Sequence, residues 1–138
     1  MNNATLALWS PRMLSVLRIV AGLLFFEHGA SKLFGVPHNA SFDNLQLYSL
    51  IGLAGVIEVV GGALLTIGLF TRPVAFIMSG EMAFAYFMAH APKNMFPVLN
   101  GGDPAVLYCF LFLYFFFAGG GEWSLDAMRS RQATPARA

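Results

Sequence analysis

The chain has 138 residues, 57% of them apolar and only 11% charged, where soluble domains carry roughly a quarter charged residues. Eight basic and seven acidic side chains leave a net charge of +1, which argues against a nucleic-acid partner held by bulk electrostatics. The single cysteine, Cys109, excludes an internal disulfide and any CxxC dithiol chemistry carried by this chain alone.

So few charges cannot coat a soluble fold of this length, and the surplus apolar surface must face something other than water, for which lipid is the simplest candidate. The length suits one domain. In chain order, residues 1–12 read as a cytoplasmic N-terminal segment, followed by four apolar runs at about 13–34, 47–70, 73–91 and 104–118 and a cytoplasmic tail at 119–138. A transmembrane helix needs about 20 mostly apolar residues, which the first three runs provide or approach. The fourth is uncharged over residues 105–118, which cover only about 21 Å at 1.5 Å per residue. Its start is marked by Asp103, expected as the cap, and Pro104 at the first helical position. Gly119-Gly120-Gly121 ends it, with Trp123 at headgroup level. The run ending in Glu27-His28 has no small-residue cleavage site and does not read as a signal peptide.

An even number of spans puts both termini on one side. Arg12, Arg18, Arg72, Arg129, Arg131 and Arg137 fall on that side, and Lys32 and Lys93 on the other, so the termini are expected in the cytoplasm. The expectation is an all-α chain with four transmembrane helices, multi-pass, with the lipid bilayer as its first partner.

Three carboxyls fall within this apolar region. Counted from the span edges, Glu27 lies ~9 Å, Glu58 ~12 Å and Glu81 ~16 Å from the outer edge of a ~30 Å core. A carboxylate at such depth costs roughly 2.5–3.5 kcal/mol on insertion scales, so these groups should turn inward and meet each other, a base or water. Gly55, Glu58, Gly62 and Thr66 share one face of the second run, and small neighbours let another helix approach closely. Arg18, Gly22, Phe25, Gly29 and Lys32 form a like stripe on the first run, and Met78, Glu81, Ala85 and Met88 one on the third. Glu27 and His28 are expected to look in different directions. The candidate ligand-binding residues are Glu27, His28, Lys32, Glu58, Glu81, His90 and Asn100. Against this stands the plain alternative that buried carboxyls act as interhelical glue and that Lys32 and Lys93 merely snorkel. No HExxH, EF-hand or Glu-x-x-His pattern points to a metal.

The chain resembles the DoxX family of small bacterial membrane proteins. The resemblance rests on Arg18 followed by GLLFFEHGASKLFG, GVIEVVGGALLTIGLFTR, AYFMAHAPKNMFPVLNGGD and LYCFLFLYFFFAGGGEWSLD, covering about residues 12–127. HGxxK and ExxGG are its specific signals, and Asp103 departs from the glutamate often found there. The resemblance implies a transmembrane four-helix bundle in the bacterial inner membrane, some members being associated with redox or oxidative-stress assemblies, without supplying a catalytic residue. On that basis the expected function is an accessory subunit that binds a quinone through the carboxylate and histidine layer or holds a soluble redox partner. A proton- or cation-coupled transporter subunit and a purely structural anchor are the alternatives, and a second copy of the chain, in a homo-oligomer, is a candidate partner.

Overall fold

The structure, a computed structural model, describes residues 2–133, all helix and connecting turns with no strand among them. Six α-helices follow in order: α1 Asn3–Phe34, α2 Leu50–Ile67, α3 Thr71–Ala85, α4 Pro97–Asn100, α5 Asp103–Ala118 and α6 Leu125–Ala133. A 3-10 turn, Ala40–Phe42, interrupts the first connection, and a π-helical turn, Tyr86–His90, prolongs α3. Arg137 lies outside the described residues.

The helix ends follow from capping more than from hydropathy. Apolarity placed the start of the first helix near 13, yet α1 begins at Asn3 because the Asn2 side chain accepts from Thr5 N at 2.9 Å. Its 32 residues span about 48 Å. It stops at Gly35, whose left-handed backbone returns its N–H to Ala30 O. α2 is shorter than its apolar run because Ser49 caps Gly52 N at 3.1 Å and Gly68 ends the helix. α5 starts as expected, but its N-cap is Gly102 with no side-chain bond. Asp103 is already the first helical residue, where its charge complements the positive end of the helix dipole. α1 and α2 are long and apolar enough to cross a membrane, and α5 is apolar over 16 residues but shorter.

α1 packs along α2, α3 along α5, and α2 more lightly against α3. The first contact is backbone to backbone. A Cβ on Gly62 would stand 2.5 Å from Phe26 N, and one on Gly29 would stand 2.6 Å from Val59 N. Only glycine permits this approach, as the small-residue stripes predicted. The two helix pairs share one core of Ala21, Phe25, Leu65, Ala75, Met78, Phe112 and Phe115. Phe25 joins them, with ring centroids 4.7 Å from Phe112 and 5.2 Å from Tyr108.

Where α2 ends, α3 begins and α5 ends, three side chains take up the free backbone groups. Arg18, fully buried on α1, donates to Leu65 O, to Thr66 O at 2.7 Å, to Gly120 O at 2.8 Å and to Trp123 O at 2.6 Å. Asp126 on α6 accepts from Phe70 N at 2.9 Å and Thr71 N at 2.8 Å, capping α3 from outside. Arg72 on α3 donates to Phe116 O and Phe117 O of α5, each at 2.8 Å. Four carbonyls without their guanidinium are costly, since each charge-assisted bond is worth about 1.5–3 kcal/mol. Arg18→Leu is therefore expected to cost at least ~3 kcal/mol, and Arg18→Lys less. Thermal unfolding in mild detergent measures both.

Partial burial alone would raise the Asp126 carboxyl, but the bonds from Thr71 and Phe70 and the nearby Arg129 together hold it below its ordinary value. The stability it brings is complete above the unfolded aspartate range near 4 and is lost as pH falls through the lower native value. Docking of α6 is expected to weaken only in that acid range. In Asp126→Asn this acid step disappears, as limited proteolysis of the tail against pH would record.

Candidate functional site

The end of the helix pairs carrying the 35–49 connection is here the loop end, and the end carrying α6 the tail end. Near the loop end, Gly29 and Gly55 bring α1 and α2 together. Lys32 follows Gly29 by three residues and Glu58 follows Gly55 by three, so the same close approach aligns both long side chains. Lys32 Nζ donates to Glu58 Oε1 at 2.6 Å, with side-chain exposures of 14% and 3%. The connecting segment folds over this pair. Ser31 Oγ donates to Pro37 O at 2.7 Å. The Lys32 ammonium lies 5.9 Å from the Phe42 ring centre.

Glu81 reaches the same region from α3. Both of its carboxyl oxygens are buried without a hydrogen-bond partner, as is Glu58 Oε2. Glu81 lies close enough to feel the charges of Glu58 and Lys32. One ammonium balances one carboxylate. The second carboxyl needs its own proton or a donor brought by a ligand, because a buried unpaired charge is expensive. Beside the pair, an apolar cleft of about 260 Å³ opens between α2 and α3, lined by Val60, Gly61, Leu64, Ile77 and Met78 among others. Gly61 and Met78 lie three residues, about one helical turn, from Glu58 and Glu81.

The other expected residues divide into two groups. Glu27 and His28 are both exposed and line one cavity of about 570 Å³ with Ser31, His38, Asn39 and Phe42. Adjacent residues of a helix point about 100° apart, and both still border this hollow. The connection wraps the end of α1 closely enough to gather two adjacent residues into one hollow. His28 Nδ1 bonds Leu24 O at 2.9 Å. His90 and Asn100 meet each other, with His90 Nδ1 donating to Asn100 O at 3.1 Å. Asn100 also donates to Asn94 O at 2.6 Å and accepts from Gly102 N at 2.7 Å. These two residues organise the 91–102 connection. Among the described residues, no group of three or more His, Cys, Asp or Glu side chains is arranged to hold a metal.

Sequence reasoning counted Arg18 and Arg72 as charges on the terminal side and gave Asp126 no role. Arg18 did carry a signal, since it shares the buried stripe with Gly22, Phe25 and Gly29. Asp126 carried none, because its partners lie 55 and 56 residues away.

Removing one member of the buried ion pair strands the other. Lys32→Met is expected to cost about 3–5 kcal/mol. Lys32→Met with Glu58→Gln is expected to cost clearly less than the two single changes added together. A double-mutant cycle of unfolding free energies tests this, and simple additivity would contradict the pairing.

The model of the DoxX family matches residues 13–91. An uncharacterised protein of Haemophilus influenzae is 45% identical over 130 residues, covering 91% of this chain and 96% of its own length. An uncharacterised membrane protein of Mycobacterium tuberculosis is 27% identical over 149 residues, covering 90% and 85%. A Bacillus subtilis protein, CatD, whose name carries a provisional oxidoreductase assignment, is 34% identical over 71 residues, covering 46% and 49%. No solved structure matches.

Proposed function

The chain belongs to the DoxX family of membrane proteins, and from that premise we propose that it is a multi-pass inner-membrane subunit of a redox-linked assembly. In this reading α1, α2, α3 with its π turn, and α5 form a four-helix bundle across the membrane. The tail end is cytoplasmic, and the layer of Lys32, Glu58 and Glu81 holds the headgroup of a quinone. The observation that carries the reading is the buried Lys32–Glu58 pair beside three carboxyl oxygens that lack partners. Ionisable groups inside a membrane bundle are costly and are retained where a ligand or proton uses them. The provisional oxidoreductase name of the B. subtilis relative supports the redox association. A soluble redox partner would meet the tail end, where Arg72, Arg129 and Arg131 are exposed.

The residues suit such a ligand. A quinone has carbonyl acceptors on an apolar ring. Lys32 donates hydrogen bonds, a protonated Glu81 donates one more, and the α2–α3 cleft offers an apolar wall one turn away. When bound, a quinone supplies two-electron, two-proton chemistry. The chain's part is to fix the carbonyls and hold a proton at the carboxyls.

The test is extraction in mild detergent, followed by native mass spectrometry and lipid analysis. The wild type is expected to retain quinone, and Glu58→Gln and Glu81→Gln to retain at least ~10-fold less, equivalent to a loss of about 1.4 kcal/mol. No quinone on the wild type, or equal retention by both variants, overturns the reading.

A further inference from the structure

The carboxyl pair is not equally separated from the two ends of the molecule. Toward the loop end, two cavities open above it, one of about 570 Å³ beside Glu27 and His28 and one of about 290 Å³ beside Lys32 and Asp43. They share Ser31, Asn39 and Phe42 as walls. Lys32 lines the second cavity with part of its side chain exposed, and its ammonium touches Glu58. Exposed His28 and His38 line the first cavity and Lys32 the second, and Lys32 bonds Glu58, whose charge Glu81 feels.

Toward the tail end the buried hydroxyl of Ser79 is already donated to Cys109 O at 2.8 Å and the half-buried one of Thr66 to Gly62 O at 2.7 Å, so neither continues this series of polar groups. Leu65, Ala75, Met78, Phe112 and Phe115, none with any exposure, fill the next layer of the core. Beyond them the Arg18 guanidinium is fully engaged with backbone carbonyls. A dry apolar layer of this kind offers water no polar partners.

We propose that Glu58 and Glu81 exchange protons with the aqueous phase at the loop end, through the cavities above Lys32, and are closed to the tail end. The charged and titratable groups facing the pair are Lys32 and His28 of α1, with His38 and Asp43 of the connection lining the cavities above. The inference rests on Lys32, Glu58 and Glu81 being the functional centre, but it does not require a quinone.

The experiment uses the full chain in sealed vesicles with Cys109→Ala as background and a membrane-impermeant cationic methanethiosulfonate as probe. Asn44→Cys marks the loop end and Gln132→Cys the tail end, so sidedness is read internally. Lys32→Cys and Ser31→Cys are expected to react only from the side that labels Asn44→Cys, and Leu65→Cys from neither. Ser31→Cys leaves the ion pair intact and keeps the test valid if Lys32→Cys misfolds. Reaction of the Lys32 or Ser31 position from the tail side, or from neither side, overturns the proposal. As a second readout, the infrared carboxyl band that Glu81→Gln removes is expected to shift promptly in heavy water, and protection over hours overturns the proposal. Loop-side labelling with no quinone retained removes the quinone reading and leaves this path standing.

Discussion

A buried guanidinium holds the tail end of this protein together. Helix ends leave carbonyls and amides without partners, and in an apolar surround each one must be satisfied by the chain itself. Arg18 serves the last carbonyls of α2 and two carbonyls of the segment after α5 at once. It thereby ties three parts of the chain that are far apart in sequence. Its planar fork of five donors suits it to this task in a way that lysine cannot match. Asp126 at the start of α3 and Arg72 at the end of α5 apply the same solution with the sign of charge each helix end requires.

This closure lets the loop end be less regular. With the tail end fixed and the glycines of α1 and α2 in backbone contact, the register between these helices cannot slide. Lys32 and Glu58 are then held at bonding distance with little freedom to part. Glu81 comes from α3, which packs less extensively on α2 than α1 does. Its carboxyl oxygens gain no partner in return. A rigid pair beside an unsatisfied third group is a reasonable arrangement for holding a ligand or a proton. A purely structural network would be expected to satisfy all its members.

The polar groups near the loop end thus separate into two kinds. His90 and Asn100 spend their hydrogen-bonding capacity on their own connection and on each other. Lys32, Glu58 and Glu81 are internal and incompletely matched, while Glu27 and His28 stand at the mouth of a cavity. The two ends of the HGxxK motif are in this way given different surroundings: His28 lines the hollow, and Lys32 bonds the partner helix.

By itself the sequence determined the helical class, the membrane environment, the glycine faces and the family, because these depend on composition and on periodicities of three and four along one helix. It also marked Lys32, Glu58 and Glu81 as worth attention, since charge is rare in such a chain. The tertiary structure alone decided that Lys32 pairs with Glu58, 26 residues away. It alone decided that Glu27 shares a cavity with His28, that Asp126 caps a helix not its own, and that Arg18 is a buried clamp where charge counting had recorded only a base on the terminal side. Such pairings depend on which helices touch and in what register. That is fixed by backbone approach at glycines and by helix ends finding donors and acceptors, neither of which a local pattern records.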